Sequence, residues 1–253
     1  DLHLSLRRQR QMCIRDRYRA IVGAIGWLNS GTRPDLSYCY AELSKFAARP
    51  GRVHMDAAEY CLAYISGTYE KGIVYRAGKS GEGNTLSGWV DADFAADLDT
   101  RRSHTGYLLM LNGGPVSWKS TKQKSVSLST AESEWYAASE AGKEIIYLRR
   151  ILDDFGFEQK GPTTLYEDSR AVICMAENPV NRKSSRHIAT RRHFIGELVA
   201  AGTVKLADCR TDEMVADALT KSLPYPSFKK HRTTMMGEDV KQARVYQIVM
   251  QVG

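Results

Sequence analysis

The stretch Thr105-Gly-Tyr-Leu-Leu-Met-Leu-Asn-Gly-Gly-Pro-Val-Ser-Trp-Lys119 decides how the larger part of this 253-residue chain folds. Asn112-Gly113-Gly114 is a turn sequence between two runs of aliphatic and aromatic residues, a pattern typical of a β-hairpin. We therefore predict a strand over Thr105 to Leu111 and a returning strand over Pro115 to Lys119. A further strand precedes them, over Leu86 to Asp91.

Downstream of the hairpin, strand and helix patterns alternate. They predict an α/β domain with the element order βββαβααβα, which gives a mixed five-stranded sheet of three antiparallel strands and two parallel additions. The long helix after the hairpin is expected to pack across this sheet. The elements are a helix over 131–155, a strand over 163–167, a short helix from Ser169, a helix over 187–200, a strand over 203–207 and a helix after Thr211.

Upstream of the hairpin, the chain has helical periodicity. Apolar residues of Tyr18 to Leu28 share one helix face, and Met55 to Ile65 form another helix that ends at Gly67. Between them, Arg33-Pro34-Asp35 is a turn in which Asp35 is placed to cap the next helix. The glycine-rich stretch 78–84 is expected to be a linker between this helical segment and the α/β domain.

Residues 1–16 stand apart from the rest of the chain. The string Arg7-Arg8-Gln9-Arg10-Gln11-Met12-Cys13-Ile14-Arg15-Asp16 has no apolar periodicity, and it resembles the in-frame translation of an adapter used in sequencing libraries. We therefore treat residues 1–16 as a cloning or assembly artefact and exclude them from fold reasoning.

The composition is that of a globular protein, with 43% hydrophobic and 26% charged residues. Because no apolar run approaches the ~20 residues of a membrane span, we expect an intracellular protein that does not contact membranes. The five cysteines have no paired spacing, so neither a disulfide framework nor a zinc site is expected. The net charge of +7 invites a nucleic-acid partner.

Acidic residues sit where predicted elements begin or end. Asp91 and Asp93 close the first strand, Asp168 follows a later strand, Glu134 lies in the first turn of the long helix, and Asp217 lies in the last helix. Side chains at the carboxyl ends of strands in an open sheet face a common crevice. Because hard divalent cations prefer several carboxylate oxygens, these residues are candidate metal ligands.

Two glutamates compete for the position on the long helix. Glu132 completes a capping box with Ser129, in which its carboxylate reaches back to the free Ser129 amide. Glu134 instead starts the buried stripe that continues through Ala138, Ala141 and Ile145, where an unneutralised carboxylate would be costly. We therefore assign a structural role to Glu132 and metal ligation to Glu134; hydration at the helix end is the alternative for Glu134.

Residues 84–221 resemble the ribonuclease H domain in Pol polyproteins of copia-type LTR retrotransposons. The shared motifs occur in order along the chain. They include Gly88-Trp-Val-Asp-Ala-Asp-Phe-Ala-Ala-Asp97, Ser103-His-Thr-Gly-Tyr107, Gly113-Gly-Pro-Val-Ser-Trp-Lys-Ser120, Leu128-Ser-Thr-Ala-Glu-Ser-Glu-Trp-Tyr-Ala-Ala138, Tyr166-Glu-Asp-Ser-Arg-Ala171 and Ala216-Asp-Ala-Leu-Thr-Lys-Ser-Leu-Pro224.

Motifs further upstream extend the resemblance to the thumb and connection end of the same family's reverse transcriptase. They are Tyr18-Arg-Ala-Ile-Val-Gly23, Thr32-Arg-Pro-Asp35 and Ile65-Ser-Gly-Thr68. We accordingly divide the chain into an artefact (1–16), a helical connection remnant (17–77), a linker (78–84), a ribonuclease H-like domain (84–222) and a tail (223–253). The polymerase palm is missing, so no polymerase activity is expected.

The resemblance implies a function and a cofactor. The family's four carboxylates correspond to Asp91, Glu134, Asp168 and Asp217, which would hold two Mg²⁺ ions, with Mn²⁺ as a substitute, and hydrolyse the RNA strand of an RNA/DNA hybrid. Asp93 is left as a turn residue or an outer partner, and Asp97 is assigned to an exposed turn. The implied partners are the hybrid and the rest of the polyprotein, in a cytoplasmic virus-like particle or the nucleus, with no small-molecule substrate.

Hybrid binding requires a local basic surface, because residues 84–221 contain 18 basic and 19 acidic residues. Hydroxyl groups near the carboxylates could contact the RNA, although helix capping is an equally good role for them. The candidates are Lys119, Lys122, Ser129, Thr130, Ser169, Arg186, Arg191, Arg192 and His193. Two alternatives remain open, an inactive element that only binds nucleic acid and a two-metal DNA nuclease of the same fold.

Overall fold

The computed structural model describes the backbone of residues 2–76, 84–177 and 186–238, and the side chains of these ranges from residue 14 onward except those of 186 and 187. The chain forms two compact units, residues 1–72 and 73–253. No helix within the described ranges is long and apolar enough to cross a membrane.

The first unit is helical, as predicted. Its helices are α1 (Leu2–Gly31), α2 (Ser37–Ser44) and α3 (Arg52–Ser66), with a 3₁₀ turn at Pro34–Leu36. Their facing sides form a core of apolar residues, of which Tyr18 is the first among the described side chains. This core consists of Tyr18, Val22, Ile25, Leu36, Leu43, Met55 and Ala58.

Asp35 does not cap a helix, which corrects the prediction. It lies inside the 3₁₀ turn, fully buried, and its carboxylate pairs with the buried Arg33 guanidinium at 2.9 Å. The Tyr64 hydroxyl donates a second hydrogen bond to Asp35 at 2.6 Å. Because a buried charge must be paired, this turn ties α3 to the end of α1.

Cys39 and Cys61 also correct an expectation. The sequence predicted no cysteine pair, yet the sulfur atoms of these two residues, in α2 and α3, lie in contact. Their Cα atoms are 7.5 Å apart.

The second unit contains the predicted mixed sheet. Its strands are β1 (Leu86–Asp93), β2 (His104–Leu111), β3 (Gly114–Lys122), β4 (Thr163–Glu167) and β5 (Val204–Asp208). The strand order is β3-β2-β1-β4-β5, with the first three antiparallel and the last two parallel. Asn112 and Gly113 both have positive φ angles, 53° and 74°, as the two-residue hairpin requires. The ribonuclease H-like fold is therefore confirmed in its element and strand order.

Helices cover both faces of this sheet. One face packs against α4 (Thr130–Asp154), α5 (Arg170–Glu177) and α6 (Arg186–Ala200). The other face is covered by the one-turn helix α7 (Asp217–Thr220) and by α8 (Tyr225–Met235). The sequence predicted one helix after Thr211 and left 223–253 as a tail. Helix α8 is an addition to that prediction, and its Met235 is fully buried; residues 239–253 of the tail lie outside the described residues.

Residues 73–76 form a short extended strap that belongs to the second unit. The amide of Val74 donates to the Met236 carbonyl at 2.9 Å, and the amide of Arg76 donates to the Asn112 carbonyl at 2.9 Å. These bonds explain why the division between the units falls after Gly72, whereas the sequence analysis extended the helical segment to residue 77. Most of the predicted linker, residues 78–83, lies outside the described residues, as does residue 77.

Candidate metal centre

Three of the four candidate carboxylates converge at one end of the sheet. Asp91 lies in β1, Glu134 near the N-terminal end of α4, and Asp168 directly after β4. Each of the three offers an oxygen atom, and these oxygens all lie within 4.8 Å of one another. Asp91 and Glu134 are each only 3% exposed, and Asp168 is half-buried. The predicted convergence of these three residues is therefore confirmed.

The local sequence explains how the side chains reach this point. In β1, Val90 and Ala92 face the core under α4, so Asp91 between them points to the face covered by α7. Glu134 is held at the strand end because its carboxylate accepts a hydrogen bond from the Ala92 backbone. The stripe that follows Glu134, with Ala138 and Ala141 fully buried, fixes the rotation of α4 on the sheet.

Burial and mutual repulsion disfavour negative charge on these carboxylates. Burial raises the pKa of Glu134 far above its ordinary value, and the negative charges of Glu167, Asp91 and Asp168 raise it further. Burial likewise raises the pKa of Asp91 to about 6. The pKa of Asp168 is raised by burial and by Asp91. Such a cluster is stabilised in its ionised form when a cation enters it.

The donor set fits a hard divalent cation. All three side chains supply oxygen, the ligand type that Mg²⁺ prefers. The Oε2 atom of Glu134 is buried and has no hydrogen-bond partner within the described part of the chain. A buried oxygen without a partner is costly, and a cation between the three carboxylates would satisfy it.

Asp217, the fourth candidate, lies beside this trio but is not part of it. It begins α7, is 4% exposed and forms an ion pair with Lys221, with Oδ1 and Nζ 2.8 Å apart. Its charge contributes to the raised pKa of Asp91, after the larger effect of burial. The structure thus brings Asp217 close to Asp91 and gives it a lysine partner that the sequence analysis did not consider.

Helix α7 can reach Asp91 because Gly106 leaves space for it. Gly106 is paired with Asp91 across β1 and β2, and a Cβ atom there would lie 2.7 Å from Thr220 Cγ2 and 2.8 Å from Leu219 Cβ. The Ser120 hydroxyl donates to the Leu219 carbonyl at 2.6 Å and fixes the turn to β3. In this position the buried Thr220 hydroxyl donates a hydrogen bond to Asp91 Oδ2.

Glu167 is an acidic neighbour that the sequence analysis missed. It is fully buried at the end of β4; its Oε1 accepts a hydrogen bond from the Ser169 amide at 3.2 Å, and its Oε2 has no hydrogen-bond partner among the described residues. Burial raises its pKa well above the ordinary value. Residues 163, 165 and 167 alternate on the buried face of β4, so strand periodicity could have indicated that Glu167 points inward.

Glu132 has the structural role predicted for it, with one change of partner. The Ser129 hydroxyl accepts a hydrogen bond from the Glu132 amide at 3.2 Å and caps α4. The Glu132 carboxylate accepts from the amide of Leu128 at 2.7 Å, rather than from that of Ser129 as predicted. The Glu132 carboxylate therefore fixes Leu128, the residue before the N-cap, and it is not one of the three converging carboxylates.

The predicted phosphate-binding lysines have partners within the protein. Lys119 Nζ lies 3.7 Å from Glu140, and Lys122 Nζ lies 3.2 Å from Asp97. Asp97 is buried and also accepts hydrogen bonds from Thr100, so its assignment to an exposed turn is wrong. Its hydrogen bonds order the β1–β2 loop next to the carboxylates.

Arg191 faces inward between α6 and α4. Its guanidinium stacks over the Tyr136 ring, 3.7 Å from the centroid, and donates a hydrogen bond to the Ser139 hydroxyl. By contrast, His193 is exposed and pairs with Glu197 at 3.2 Å. Arg192 is partly exposed, as is Ser169, whereas Ser129 and Thr130 are exposed. The side chain of Arg186 lies outside the described residues.

Comparison with known proteins identifies the family. The chain is 38% identical over 212 residues to the retrovirus-related Pol polyprotein from transposon TNT 1-94 of Nicotiana tabacum, a match that covers 84% of this chain and 16% of that protein. It is 35% identical over 214 residues to the Pol polyprotein from transposon RE1 of Arabidopsis thaliana, covering 84% of this chain and 14% of that protein. The chain thus spans about one sixth of these relatives or less.

A shorter relative has a different description. The secreted RxLR effector protein 161 of Plasmopara viticola is 45% identical over 132 residues, which cover 52% of this chain and 90% of that protein. No protein-family model matches the chain.

Solved structures similar to the chain include ribonucleases H, at low sequence identity. RNase H1 from Halobacterium salinarum NRC-1 is 19% identical, with a TM-score of 0.37 and coverage of 54% of this chain and 94% of that one. LC11-RNase H1 in complex with an RNA/DNA hybrid is 11% identical, with a TM-score of 0.41 and coverage of 54% and 94%. With the motifs in order along the sequence and the Pol relatives matched over most of its length, the chain belongs to the copia-type family of retrotransposon Pol polyproteins, of which it spans a part.

Proposed function

We propose that this chain hydrolyses the RNA strand of RNA/DNA hybrids, as the ribonuclease H part of a Pol polyprotein that acts in reverse transcription. The observation that carries the proposal is the convergence of Asp91, Glu134 and Asp168, with a buried oxygen on Glu134 that has no hydrogen-bond partner among the residues the structure describes. Family membership supports the choice of substrate. From the same resemblance, we further propose that the activity operates in a cytoplasmic virus-like particle or the nucleus, next to the rest of the polyprotein.

In this proposal the residues have separate tasks. Asp91, Glu134 and Asp168 hold metal directly, and Asp217 completes the set from the α7 side. Two Mg²⁺ ions, or Mn²⁺ in their place, would supply positive charge that activates a water molecule and stabilises the departing 3′ oxygen. Thr220 fixes one oxygen of Asp91 through its hydrogen bond, which leaves the other oxygen available to face the crevice.

The hybrid would lie across the exposed edge of this centre. Ser129, Thr130 and Ser169 offer hydroxyl groups beside the carboxylates, and such groups can contact the 2′-hydroxyl that distinguishes RNA from DNA. Arg192 is partly exposed and is our preferred phosphate contact, since Arg191 already has partners in α4. Lys119 and Lys122 each have a carboxylate partner, which reduces the net charge that they offer to a phosphate.

The test compares three substrates of one sequence: an RNA/DNA hybrid, a DNA duplex and an RNA duplex, each with MgCl₂ and with EDTA. We expect cleavage of the RNA strand of the hybrid alone, with MgCl₂ alone. The Asp168→Asn variant should lose this activity while keeping its fold, and Glu132→Gln is the matched control outside the trio. Cleavage of the DNA duplex would instead support a two-metal DNA nuclease, and binding without cleavage would support an inactive module.

A further inference from the structure

Lys221 lies beside Asp217, on the α7 side of the carboxylate cluster. Its Nζ atom is 2.8 Å from Oδ1 of Asp217, and the side chain is only partly exposed. The ammonium charge also acts on Asp91, where it offsets part of the effect of burial, and it acts in the same way on Asp93 and Asp168. A single lysine is thus coupled to four carboxylates around β1 and α7.

The packing of α7 fixes the backbone position of Lys221. It follows α7 directly, and α7 is held on the sheet by the hydrogen bond from Ser120 to the Leu219 carbonyl and by the space above Gly106. Thr220, the preceding residue, is fully buried and bonded to Asp91. The stem of Lys221 therefore starts within one residue of the cluster, which keeps the ammonium group within reach of the carboxylates.

The two sides of the cluster differ in whether the protein itself supplies a counter-ion. On the side of Asp91, Glu134 and Asp168, the buried Oε2 atom of Glu134 has neither a hydrogen-bond partner nor an ion-pair partner among the described residues. On the side of Asp217, the buried Oδ1 atom has a counter-ion from the protein itself, the Lys221 ammonium 2.8 Å away. A metal ion that binds on the Asp217 side must displace this ammonium or share the carboxylates with it, whereas a metal ion in the trio need not.

We propose that Lys221 is a positioning residue that serves as a built-in counter-ion on the Asp217 side of the cluster and thereby weakens the binding of a second Mg²⁺ ion. The lysine keeps the clustered acids together when metal is scarce, because it relieves their repulsion. It also sets the Mg²⁺ concentration at which the second position fills. The inference rests on the proposed function only for the assignment of Asp217 to a metal position.

The test uses the full chain and needs no nucleic acid. The melting temperature is measured from zero to saturating MgCl₂ for the wild type and for Lys221→Gln, with Lys205→Gln as the control because Lys205 is exposed in β5 and carries the same charge. Without metal, Lys221→Gln should melt below both other proteins, since four carboxylates lose a cation. The rise in its melting temperature that comes from the second Mg²⁺ ion should be half complete at a roughly tenfold lower MgCl₂ concentration, because the ammonium charge no longer competes with that ion for the Asp217 carboxylate.

Lys221→Arg keeps the charge and should retain the MgCl₂ dependence of the wild type. Equal MgCl₂ dependence in the wild type, Lys221→Gln and Lys205→Gln would overturn the inference, as would an Arg variant that behaves like the Gln variant. The outcome is separable from the proposed function. If Lys221→Gln binds MgCl₂ more tightly but the wild type cleaves no hybrid, only the function fails; if the hybrid is cleaved while all melting curves agree, only the inference fails.

Discussion

The Thr220 hydroxyl donates a hydrogen bond to the carboxylate of Asp91, a residue that lies 129 positions earlier in the chain. Both side chains are buried, and the contact joins a one-turn helix to the end of the central strand. Hydrogen bonds to an ionised acceptor are stronger than neutral ones, so this bond favours the charged form of Asp91 and fixes its orientation. Helix α7 thereby becomes part of the carboxylate cluster.

Replacing Thr220 by valine should test the hydrogen bond separately from packing, because valine has nearly the same shape but lacks the hydroxyl. We expect a loss of about 1 to 3 kcal/mol in the free energy of unfolding, since a buried carboxylate oxygen loses its donor. Hybrid cleavage should fall roughly tenfold, because the freed carboxylate samples more than one orientation. Denaturant unfolding and single-turnover cleavage are the measurements. Thr220→Ser, which keeps the hydroxyl, is the matched control; if it behaves like the valine variant, packing rather than the hydrogen bond explains the loss.

The stability of the metal-free protein should decrease as pH rises. Burial raises the pKa values of Glu134 and Glu167 above those of an unfolded chain, and it raises that of Asp91 to about 6. Such groups favour folding fully below the unfolded value, which is about 4 for carboxyls, and this contribution is lost as pH rises toward the folded values. We expect the free energy of unfolding in EDTA to fall from pH 5 to pH 8, and added MgCl₂ to oppose the fall.

Glu167→Gln gives this prediction a direct control. It removes one of the buried acids while keeping a side chain of similar volume, so it should raise the stability at pH 8 and flatten the dependence on pH. Urea unfolding at four pH values in EDTA measures both quantities. A stability that is constant from pH 5 to pH 8 in the wild type would contradict the prediction, because the three carboxylates would then titrate as they do in the unfolded chain.

The two glutamates of α4 provide a test of helix register. Glu134→Gln should abolish hybrid cleavage and metal-dependent stabilisation, because Glu134 lies within the trio of carboxylates. Glu132→Gln should have a mild effect, since glutamine can still accept the hydrogen bond from the Leu128 amide. Cleavage rates and the melting shift produced by MgCl₂ are compared for both variants. The reverse ranking would mean that Glu132, not Glu134, faces the metal.

Local periodicity in the sequence raised the carboxylates of this centre as candidates, and the family resemblance then selected them from the other acidic residues. Asp91 and Asp168 follow from their places at strand ends, and Glu134 follows from its place in the buried stripe of α4. Thr220 and Lys221 could not be predicted in the same way. Their contacts with Asp91 and Asp217 depend on how a short turn docks above Gly106, which is a property of packing between distant segments.

The partners of charged residues in turns also could not be predicted from the local sequence. Arg33 and Asp35 form a buried pair, although the turn sequence suggested a helix cap, because the partner Tyr64 is supplied by a helix further along the chain. Asp97 is buried for a similar reason, since Lys122 approaches it from β3. A short polar side chain in a turn can cap, pair or face solvent, and only the neighbouring elements decide among these outcomes.

Two adjacent arginines of α6 should have different roles. Arg191→Met should lower the free energy of unfolding by about 1 to 2 kcal/mol, because it removes a partly buried hydrogen bond to Ser139 and the stacking on Tyr136. Arg192→Gln should leave stability unchanged, weaken hybrid binding and lower the salt dependence of binding by about one ion. Thermal melting and binding titrations at several salt concentrations separate the two effects. A weakened affinity with full stability in Arg191→Met would show instead that Arg191 contacts the nucleic acid.

Removal of residues 1–16 should change neither stability nor hybrid cleavage. Helix α1 extends through this segment, but among the side chains that the structure describes, from residue 14 onward, the buried core of the first unit begins at Tyr18, and Ile14 is 41% exposed. Arg15 pairs only loosely with its neighbour Asp16, at 3.6 Å, and such exposed pairs contribute little to stability. A chain that starts at Arg17 keeps the ion pair between Arg17 and Glu59 on α3. Melting temperatures and cleavage rates of the two chains should agree; if the shorter chain fails to fold, residues 1–16 are a working part of the protein and our assignment of them as an artefact is wrong.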